Sequence, residues 1–405
     1  MRILTIHEQG RVRGGADAVY LHGTRLLAKQ GHTIAWMNPG ICEAATASEK
    51  VYSLSETSSL RSFKRNVRIA AGLIYLPEAR RLARRAVQEF RPDVVHVHTI
   101  GGAFSPIVAC VFADYGIPVV QTLHDYRLLC PVCSFLSGDE VCEACHGRHY
   151  YHCVMRRCAR NRALLPSIIL GLGAYISNYI YHYDKLINHY ICPGEFLRQK
   201  MIAFGYASEK LTTLPNAYFG PSLAHREMTE PLILYVGRLS HEKGVDLLVK
   251  AARGLKTPVC IVGDGPARPD LEELADALGV ADQVKFLGFQ TFAQVQELYA
   301  RAWVNVLPSR WYENGPLVVL EANAQGTPVV ASAMGALPEF VEEGKTGCLF
   351  TANDAESLRE VLQRCLARPD WLREMGENAR QRVIQRYSPE RYAQGLETIL
   401  ERVIL

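Results

Sequence analysis

Short apolar runs alternate with helix-length amphipathic segments along nearly the whole chain, and the series is played twice. Runs at Arg2–Ile6, Thr33–Met37, Val94–Val97, Pro118–Thr122 and Leu186–Ile191 read as buried strands, with helical patterns at Ala16–Gln30, Glu78–Phe90 and Ala103–Tyr115. A second set follows at Leu232–Val236, Val259–Val262, Val284–Leu287, Val304–Leu307 and Val329–Ala331. Helical patterns at Gly244–Arg253, Asp270–Leu278, Phe292–Arg301 and Pro316–Gln325 separate these runs. Strands buried on both faces and joined by helices form parallel sheets, so the class is α/β in two halves. A chain of 405 residues exceeds one ordinary core, which agrees. The polar stretch Pro215–Pro231 is the expected linker, and Ser388-Pro389-Glu390 starts a terminal helix.

Composition narrows the setting. With 48% hydrophobic and 21% charged residues the chain has a soluble globular balance. Its start reads as a first strand rather than a signal peptide. The most apolar long segment, Pro166 to Tyr183, carries Gly and Ser-Asn breaks and His182, which argues against a transmembrane span. A cytoplasmic location with reduced cysteines is expected. The net charge of +4 conceals an asymmetry, because residues 1–195 hold 22 Lys+Arg against 15 Asp+Glu. Arg61, Lys64, Arg65 and Arg68, then Arg80, Arg81, Arg84 and Arg85, crowd the basic half. The second group lies opposite an apolar arc of Ala79, Leu82, Ala83, Ala86, Val87 and Phe90. An ordinary solvated helix face and a contact with anionic lipid headgroups both fit. Nucleic acid is not expected, since no recognised nucleic-acid module accompanies the charge.

Ligands of doubly wound sheets bind in loops at the carboxyl ends of strands. After the first strand, His7-Glu8-Gln9-Gly10-Arg11-Val12-Arg13-Gly14-Gly15-Ala16 opens into a helix. Adjacent glycines there allow backbone N–H groups near an anion, or simply a tight turn. After Leu232–Val236 comes Gly237-Arg238-Leu239-Ser240-His241-Glu242-Lys243-Gly244, whose two cations straddle a turn and can converge on a diphosphate. Gly263-Asp264-Gly265-Pro266 adds a turn. Pro308 to Ala322 places Glu313 just before a helix and Glu321 inside it, with Gly315 as the expected cap and Pro316 in the first turn. A carboxylate on an apolar helix needs a partner, either a ligand's hydroxyl pair or a structural donor.

Together these loops resemble the retaining, nucleotide-sugar-dependent glycosyltransferases of family 4, whose GT-B fold has two Rossmann-like doubly wound domains facing a central cleft. The resemblance covers almost the whole chain. Its specific part is the carboxy-terminal half: the Arg238 to Gly244 loop, Gly263-Asp264-Gly265-Pro266, the Glu-x7-Glu pair Glu313 and Glu321, and Gly335-Ala336-Leu337-Pro338-Glu339. Arg13-Gly14-Gly15-Ala16-Asp17, Pro92 to His98 and Leu123-His124-Asp125 carry it in the amino-terminal half. It implies an acceptor-binding domain over residues 1–217, a nucleotide-sugar-binding domain over 218–387, and a helix at 388–405 crossing back to the first domain.

The same resemblance assigns roles. Arg238 and Lys243 would bind the donor diphosphate, with the Gly14 and Gly15 backbone contacting the same phosphates. Glu321 would bind the ribose and Glu313 the transferred sugar. Asn314, Gly315 and Leu317 complete the donor-binding set, and His124, Glu313, Arg238 and Lys243 form the catalytic one. His124 as a strand-end residue satisfied by Asp125 is the ordinary alternative. His96 and His98 alternate along a strand, so at most one is expected at the ligand side. No catalytic cofactor is implied, and no Asp-x-Asp metal motif ends a strand. The implied partners are a nucleoside-diphosphate sugar and a glycan or lipid-linked acceptor. That would serve cell-surface polysaccharide or glycolipid biosynthesis, with the protein cytoplasmic or peripheral at the inner membrane face. One departure is that Glu313-Asn314-Gly315-Pro316 stands where members often have Glu-x-Phe-Gly, which bears on sugar identity.

The remaining oddity is a cysteine-rich insertion at about 130–158. Cys130-x2-Cys133 and Cys142-x2-Cys145 resemble paired zinc knuckles and are candidate ligands of a structural zinc. Cys153, Cys158, His146, His149 and His152 share the stretch, and free thiols in an irregular insertion are the alternative. The other readings open at this point are a GT-B nucleotide-sugar 2-epimerase and a non-enzymatic binding module built on the knuckles. An intact Glu-x7-Glu and Arg/Lys pair disfavours the epimerase.

Overall fold

The structure, a computed structural model, describes the chain apart from residues 13, 41, 55–74, 102–103, 139, 222–227 and 229–230 and the side chain at 160. Arg13, Arg61, Lys64, Arg65 and Arg68, and part of the expected linker, therefore lie outside the described residues. The chain divides into two compact units. One comprises Met1–Gly138, Cys142–Asn216 and Pro389–Leu405; the other comprises Asp139–Val141 and Ala217–Ser388.

The first unit is built on a seven-stranded parallel sheet. Its order is Lys50–Leu54, Thr33–Pro39, Arg2–Ile6, Val94–Val97, Val119–Thr122, His189–Cys192 and Leu211–Thr213. The inner strands are almost wholly apolar, and Ile3, Leu4, Ile6, Val94, Val95 and Val97 are fully buried. Each such side chain contributes roughly 1.5–3 kcal/mol on leaving water, which is why these strands carry no alternation. The order reverses between Arg2–Ile6 and Val94–Val97, in register Ile3 to Val94 and Ile6 to Val97. The loops that follow these two strands flank the switch point, where doubly wound sheets bind ligands. The terminal helix Pro389–Ile404 packs on helix Gly15–Lys29, where Gly23 lets the Tyr392 ring approach closely.

The second unit repeats the scheme with six parallel strands. Their order is Val284–Gly288, Val259–Val262, Ile233–Val236, Val304–Leu307, Val329–Ser332 and Gly347–Phe350. Its switch point lies between Ile233–Val236 and Val304–Leu307, so loops 237–244 and 308–316 flank it. These are the two loops that carry Arg238, Lys243 and Glu313.

Several elements differ from expectation. The strands Lys50–Leu54, Leu211–Thr213 and Gly347–Phe350 all lie at sheet edges, where partial exposure or a leading glycine blurs the apolar signal. Helices Ala355–Leu366 and Pro369–Arg386 follow them late in the chain. Helix Leu164–Tyr175 runs through Pro166 because a proline in the first turn has no intrahelical N–H bond to lose. Among the described residues no helix is long and apolar enough to cross a membrane.

Candidate active site

In the second unit, loop 237–244 is pinned by its glycines. Gly244 adopts φ +63°, and a Cβ there would stand 2.0 Å from the Pro308 carbonyl oxygen, so the two switch-point loops touch through bare backbone. Lys243 reaches across this contact, and its Nζ donates to Glu313 Oε1 at 2.7 Å. Ser309 Oγ donates to the same oxygen at 2.6 Å, while the Lys243 ammonium lies 4.9 Å from the Trp311 ring centroid. Burial works to raise the Glu313 carboxyl, but the charge and hydrogen bond of Lys243 and the Ser309 hydroxyl overcome it and hold it below the usual carboxylate range.

Arg238 engages a different acid. Its Nη2 donates to Glu242 Oε1 at 2.7 Å, an oxygen that also accepts from Ser240 Oγ at 2.7 Å. The two cations expected at a diphosphate therefore sit on separate carboxylates, Arg238 exposed and Lys243 half-buried. Behind them Arg310 grips Asp246 through both nitrogens, and the Arg310 N–H donates to the Glu242 carbonyl at 2.9 Å. This ties the Arg238 loop to the Glu313 loop a second time.

Glu313 and Glu321 are in opposite states. Glu321 projects from helix Leu317–Ala324 with no hydrogen-bond or ion-pair partner among the described residues. Burial alone raises its carboxyl to about 7. The helix starts one residue later than expected, because Gly315 takes φ +115° and Pro316 becomes its cap rather than its first turn. Asn314, Gly315 and Leu317 are half-exposed on this turn. Gly335, at φ +60°, leaves room for Tyr312 and Glu313, whose backbone atoms would lie 2.7 and 2.8 Å from a Cβ. The adjoining Ala336 N–H donates to the Glu313 carbonyl at 3.1 Å, so the Gly335-Ala336 motif supports the acidic loop.

In the first unit, Gly14 caps helix Gly15–Lys29, and its N–H donates to Asp17 Oδ2 at 2.9 Å while the other Asp17 oxygen lies 2.8 Å from His7 Nε2. The Gly14 N–H is thus already used by a carboxylate. His124 Nε2 lies 2.8 Å from His98 Nδ1, with the rings stacked at 5.1 Å. Burial lowers the His124 imidazole to about 3 and holds His98 well below the usual imidazole range, so both are neutral and share one proton across the bond. Asp125 does not satisfy His124 as the ordinary alternative held; it accepts from Arg127 through both oxygens. The reading of His96 and His98 is corrected as well. Residues two apart share a strand face, and their rings lie 4.3 Å from each other. His96 is fixed by Thr122 Oγ1 at 2.8 Å, leaving His98 to meet His124.

The zinc expectation finds no support: among the described residues no three His, Cys, Asp or Glu side chains converge as metal ligands. Cys133, at φ +65°, turns its thiol toward Asp125 and Arg127, whereas Cys145 packs with Cys153 and Tyr150. Cys130, Cys142 and Cys158 also lie near Cys145, yet among the described residues these thiols do not come together as a metal-ligand group. All twelve cysteines are free thiols.

Sequence reasoning missed Ser309, Trp311, the Arg310–Asp246 pair and the His98 partner of His124. Ser309 and Trp311 could have been suspected, since they stand within the acidic segment itself. The Arg310–Asp246 and His98–His124 pairs depend on loops meeting across a sheet and left no local signal.

Residues 13–218 match the sequence pattern of Glycosyltransferase Family 4, and residues 224–382 that of Glycosyl transferases group 1. The chain belongs to glycosyltransferase family 4. Among curated family relatives, alpha-D-kanosaminyltransferase of Streptomyces kanamyceticus is 36% identical over 39% of this chain and 42% of its own. D-inositol 3-phosphate glycosyltransferase of Thermobifida fusca is 36% identical over 70% of this chain and 64% of its own. The chain thus spans less than two thirds of the length of these relatives. The GT-B fold extends throughout: the Anabaena HepE structure in complex with UDP-glucose has a TM-score of 0.71 at 19% identity, covering 99% of this chain and 100% of that one. Sucrose-phosphate synthase of Thermosynechococcus elongatus gives 0.70 at 20% identity, covering 99% and 98%.

Proposed function

We propose that this family 4 member transfers a sugar from a nucleoside-diphosphate sugar to a hydroxyl of a glycan or lipid-linked acceptor, with retention of anomeric configuration. The observation that carries this reading is the contrast on one loop and helix: Glu313 ion-paired to Lys243, and Glu321 half-buried without a partner. A partnerless carboxyl on a helix beside a switch point suits a ribose diol, whose two hydroxyls can donate to it. The HepE complex with UDP-glucose makes a uridine nucleotide the first donor to try.

Residues 218–387 then hold the donor and residues 1–217 the acceptor. In the reaction the acceptor oxygen bonds to the anomeric carbon as the bond to the diphosphate oxygen breaks. The hydroxyl proton passes to the departing phosphate on the same face, and the new negative charge is offset by Arg238 and Lys243. Preorganised cations matter most where charge develops, so these two residues supply much of the catalysis. Lys243 would exchange part of its contact with Glu313 for phosphate, releasing that carboxylate to the sugar hydroxyls. Asn314, Gly315 and Leu317 line the same turn, and the family resemblance adds Gly14, Gly15 and a neutral His124. The setting in this reading is cell-surface polysaccharide or glycolipid assembly by a cytoplasmic protein, peripheral at the inner membrane face.

The test is release of nucleoside diphosphate from a panel of UDP-, GDP- and ADP-sugars given to the purified chain with simple glycan acceptors. Turnover that disappears in Lys243→Ala and Glu321→Ala supports the reading. Epimerised donor without transfer would replace it.

A further inference from the structure

Helix Leu164–Tyr175, continued by the turn Ile176–Ile180, wears its amphipathic pattern inside out. The positions it buries are Ser167, Gly171, Gly173 and Asn178. Those it exposes include Leu165 at 67%, Leu172 at 52%, Tyr179 at 53% and Ile180 at 67%. Leu165, Leu172 and Tyr179 follow one another at seven-residue steps, and Ile168, Ile169 and Ile176 on the intervening turns are half-exposed. A helix of a water-soluble protein normally turns such a stripe toward its core.

The inner face explains how this orientation is held. Gly171 lies against Val154 and the Tyr150 carbonyl, where a Cβ would stand 3.1 and 3.4 Å away. Ser167 Oγ accepts from the Ala159 N–H at 3.0 Å and donates to the Ala163 carbonyl at 2.9 Å. Small and hydrogen-bonded residues thus dock the helix on Tyr151–Met155, and Met155, 73% exposed, extends the apolar ridge from that neighbour.

Charge around the ridge is one-sided. From residue 144 to 183 there is no Asp or Glu, and every formal charge comes from five arginines, of which Arg148 is ion-paired to Asp184. Arg156, Arg157 and Arg162 are exposed, and Arg156 and Arg162 flank Cys158 beside the ridge. At the far end Tyr181 lies near Tyr75 and Arg80, the first arginine of the basic helix Pro77–Phe90. Apolar residues framed by arginine and tyrosine, with no carboxylate, complement an anionic lipid surface: acyl chains for Leu and Ile, headgroup phosphates for Arg, the interface for Tyr. A protein partner's groove would match the apolar stripe and leave the exposed Arg156, Arg157 and Arg162 unaccounted for.

We propose that the Leu164–Ile180 ridge and its arginine rim seat the protein on an anionic bilayer, the ridge entering the headgroup–acyl boundary without spanning it. This rests on the peripheral location proposed above and names the surface responsible. The test is flotation of the full chain with vesicles of phosphatidylglycerol and phosphatidylcholine, or of phosphatidylcholine alone. Wild type should float with the anionic vesicles and far less with the neutral ones. A Leu165→Ser/Leu172→Ser/Ile180→Ser variant should lose about tenfold or more in partitioning. An Arg156→Ser/Arg157→Ser/Arg162→Ser variant should lose about a hundredfold on anionic vesicles, since each basic residue at such a surface contributes about fivefold. Both should keep the melting temperature and any donor-induced thermal shift of wild type, which separates this inference from the transferase reading. Flotation of the serine variants at wild-type level would overturn it, as would absence of flotation by wild type. So would a wild-type dimer that the leucine variant converts to monomer without lipid binding, which would assign the ridge to a second copy.

Discussion

The Lys243 ammonium lies 2.7 Å from the Glu313 carboxylate, bridging the two loops that flank the switch point of the second sheet. The pair is the electrostatic centre of the candidate donor site, since it holds one cation and one acid in a half-buried setting with Ser309 and Trp311 around it. It also makes the two partners unequal to remove.

Removing the lysine leaves a buried carboxylate without its counter-cation. Lys243→Ala is expected to destabilise the fold by roughly 1–3 kcal/mol, below the loss for a fully buried pair because Lys243 is partly exposed. Donor turnover should fall by about a hundredfold or more. Chemical denaturation and initial-rate kinetics on one preparation check both. A variant with wild-type turnover contradicts the role of the pair.

Glu321 titrates where most carboxyls do not, at about 7. An unfolded chain ionises a glutamate near ~4.3. Below that value both states are protonated, so the group has no effect on stability. As pH rises toward 7 the folded state retains the proton that the unfolded state has lost, so stability declines across this window and levels off above it. The decline is on the order of 2 kcal/mol, allowing for the half-exposed position. Glu321→Gln should flatten it, which melting temperatures between about pH 5 and 8 would reveal. A ribose diol donates to the ionised form, so nucleotide affinity should rise over the same window in wild type and lose that dependence in the glutamine variant.

Gly244→Ala tests the backbone contact between the switch-point loops. The substituted Cβ would meet the Pro308 carbonyl oxygen at 2.0 Å from a residue at φ +63°, and neither can give way without separating the loops. We expect a loss of about 2–4 kcal/mol, with the Lys243–Glu313 bridge and nucleotide binding lost together. A variant that folds with wild-type nucleotide affinity would show that the contact is dispensable.

The fold was largely legible because its inner strands are buried on both faces, and Arg2–Ile6, Val94–Val97, Val259–Val262 and Val304–Leu307 emerge with the bounds expected of them. Edge strands such as Leu211–Thr213 were not legible, because a short and partly exposed strand has too few apolar positions to announce itself. The chemical loops could be read from glycines, cations and acids at strand ends. What each side chain touches could not. That Arg238 binds Glu242 and Lys243 binds Glu313 depends on a crossing of loops set by Gly244 and Pro308, residues 64 positions apart in sequence. The orientation of helix Leu164–Tyr175 was not legible for a related reason, since composition shows that a segment is apolar but not which way it faces.

His98 should act on the reaction through His124. Its ring fixes the His124 tautomer across a 2.8 Å hydrogen bond. His98→Ala should lower kcat by about tenfold while leaving the KM for donor within about twofold, and His98→Gln should recover part of the loss. A change confined to KM would assign His98 to binding instead.

In the proposed reaction the second unit clamps a nucleoside diphosphate between Arg238, Lys243 and Glu321. Thermal shift with UDP, GDP and ADP, on wild type and on Arg238→Ala, Lys243→Ala and Glu321→Ala, tests it most directly. A ligand bound only by the folded state must raise the melting temperature by mass action. A rise with one of the three nucleotides, reduced or abolished in every variant, is expected. No rise with any nucleotide, or a rise that all three variants retain, would contradict it.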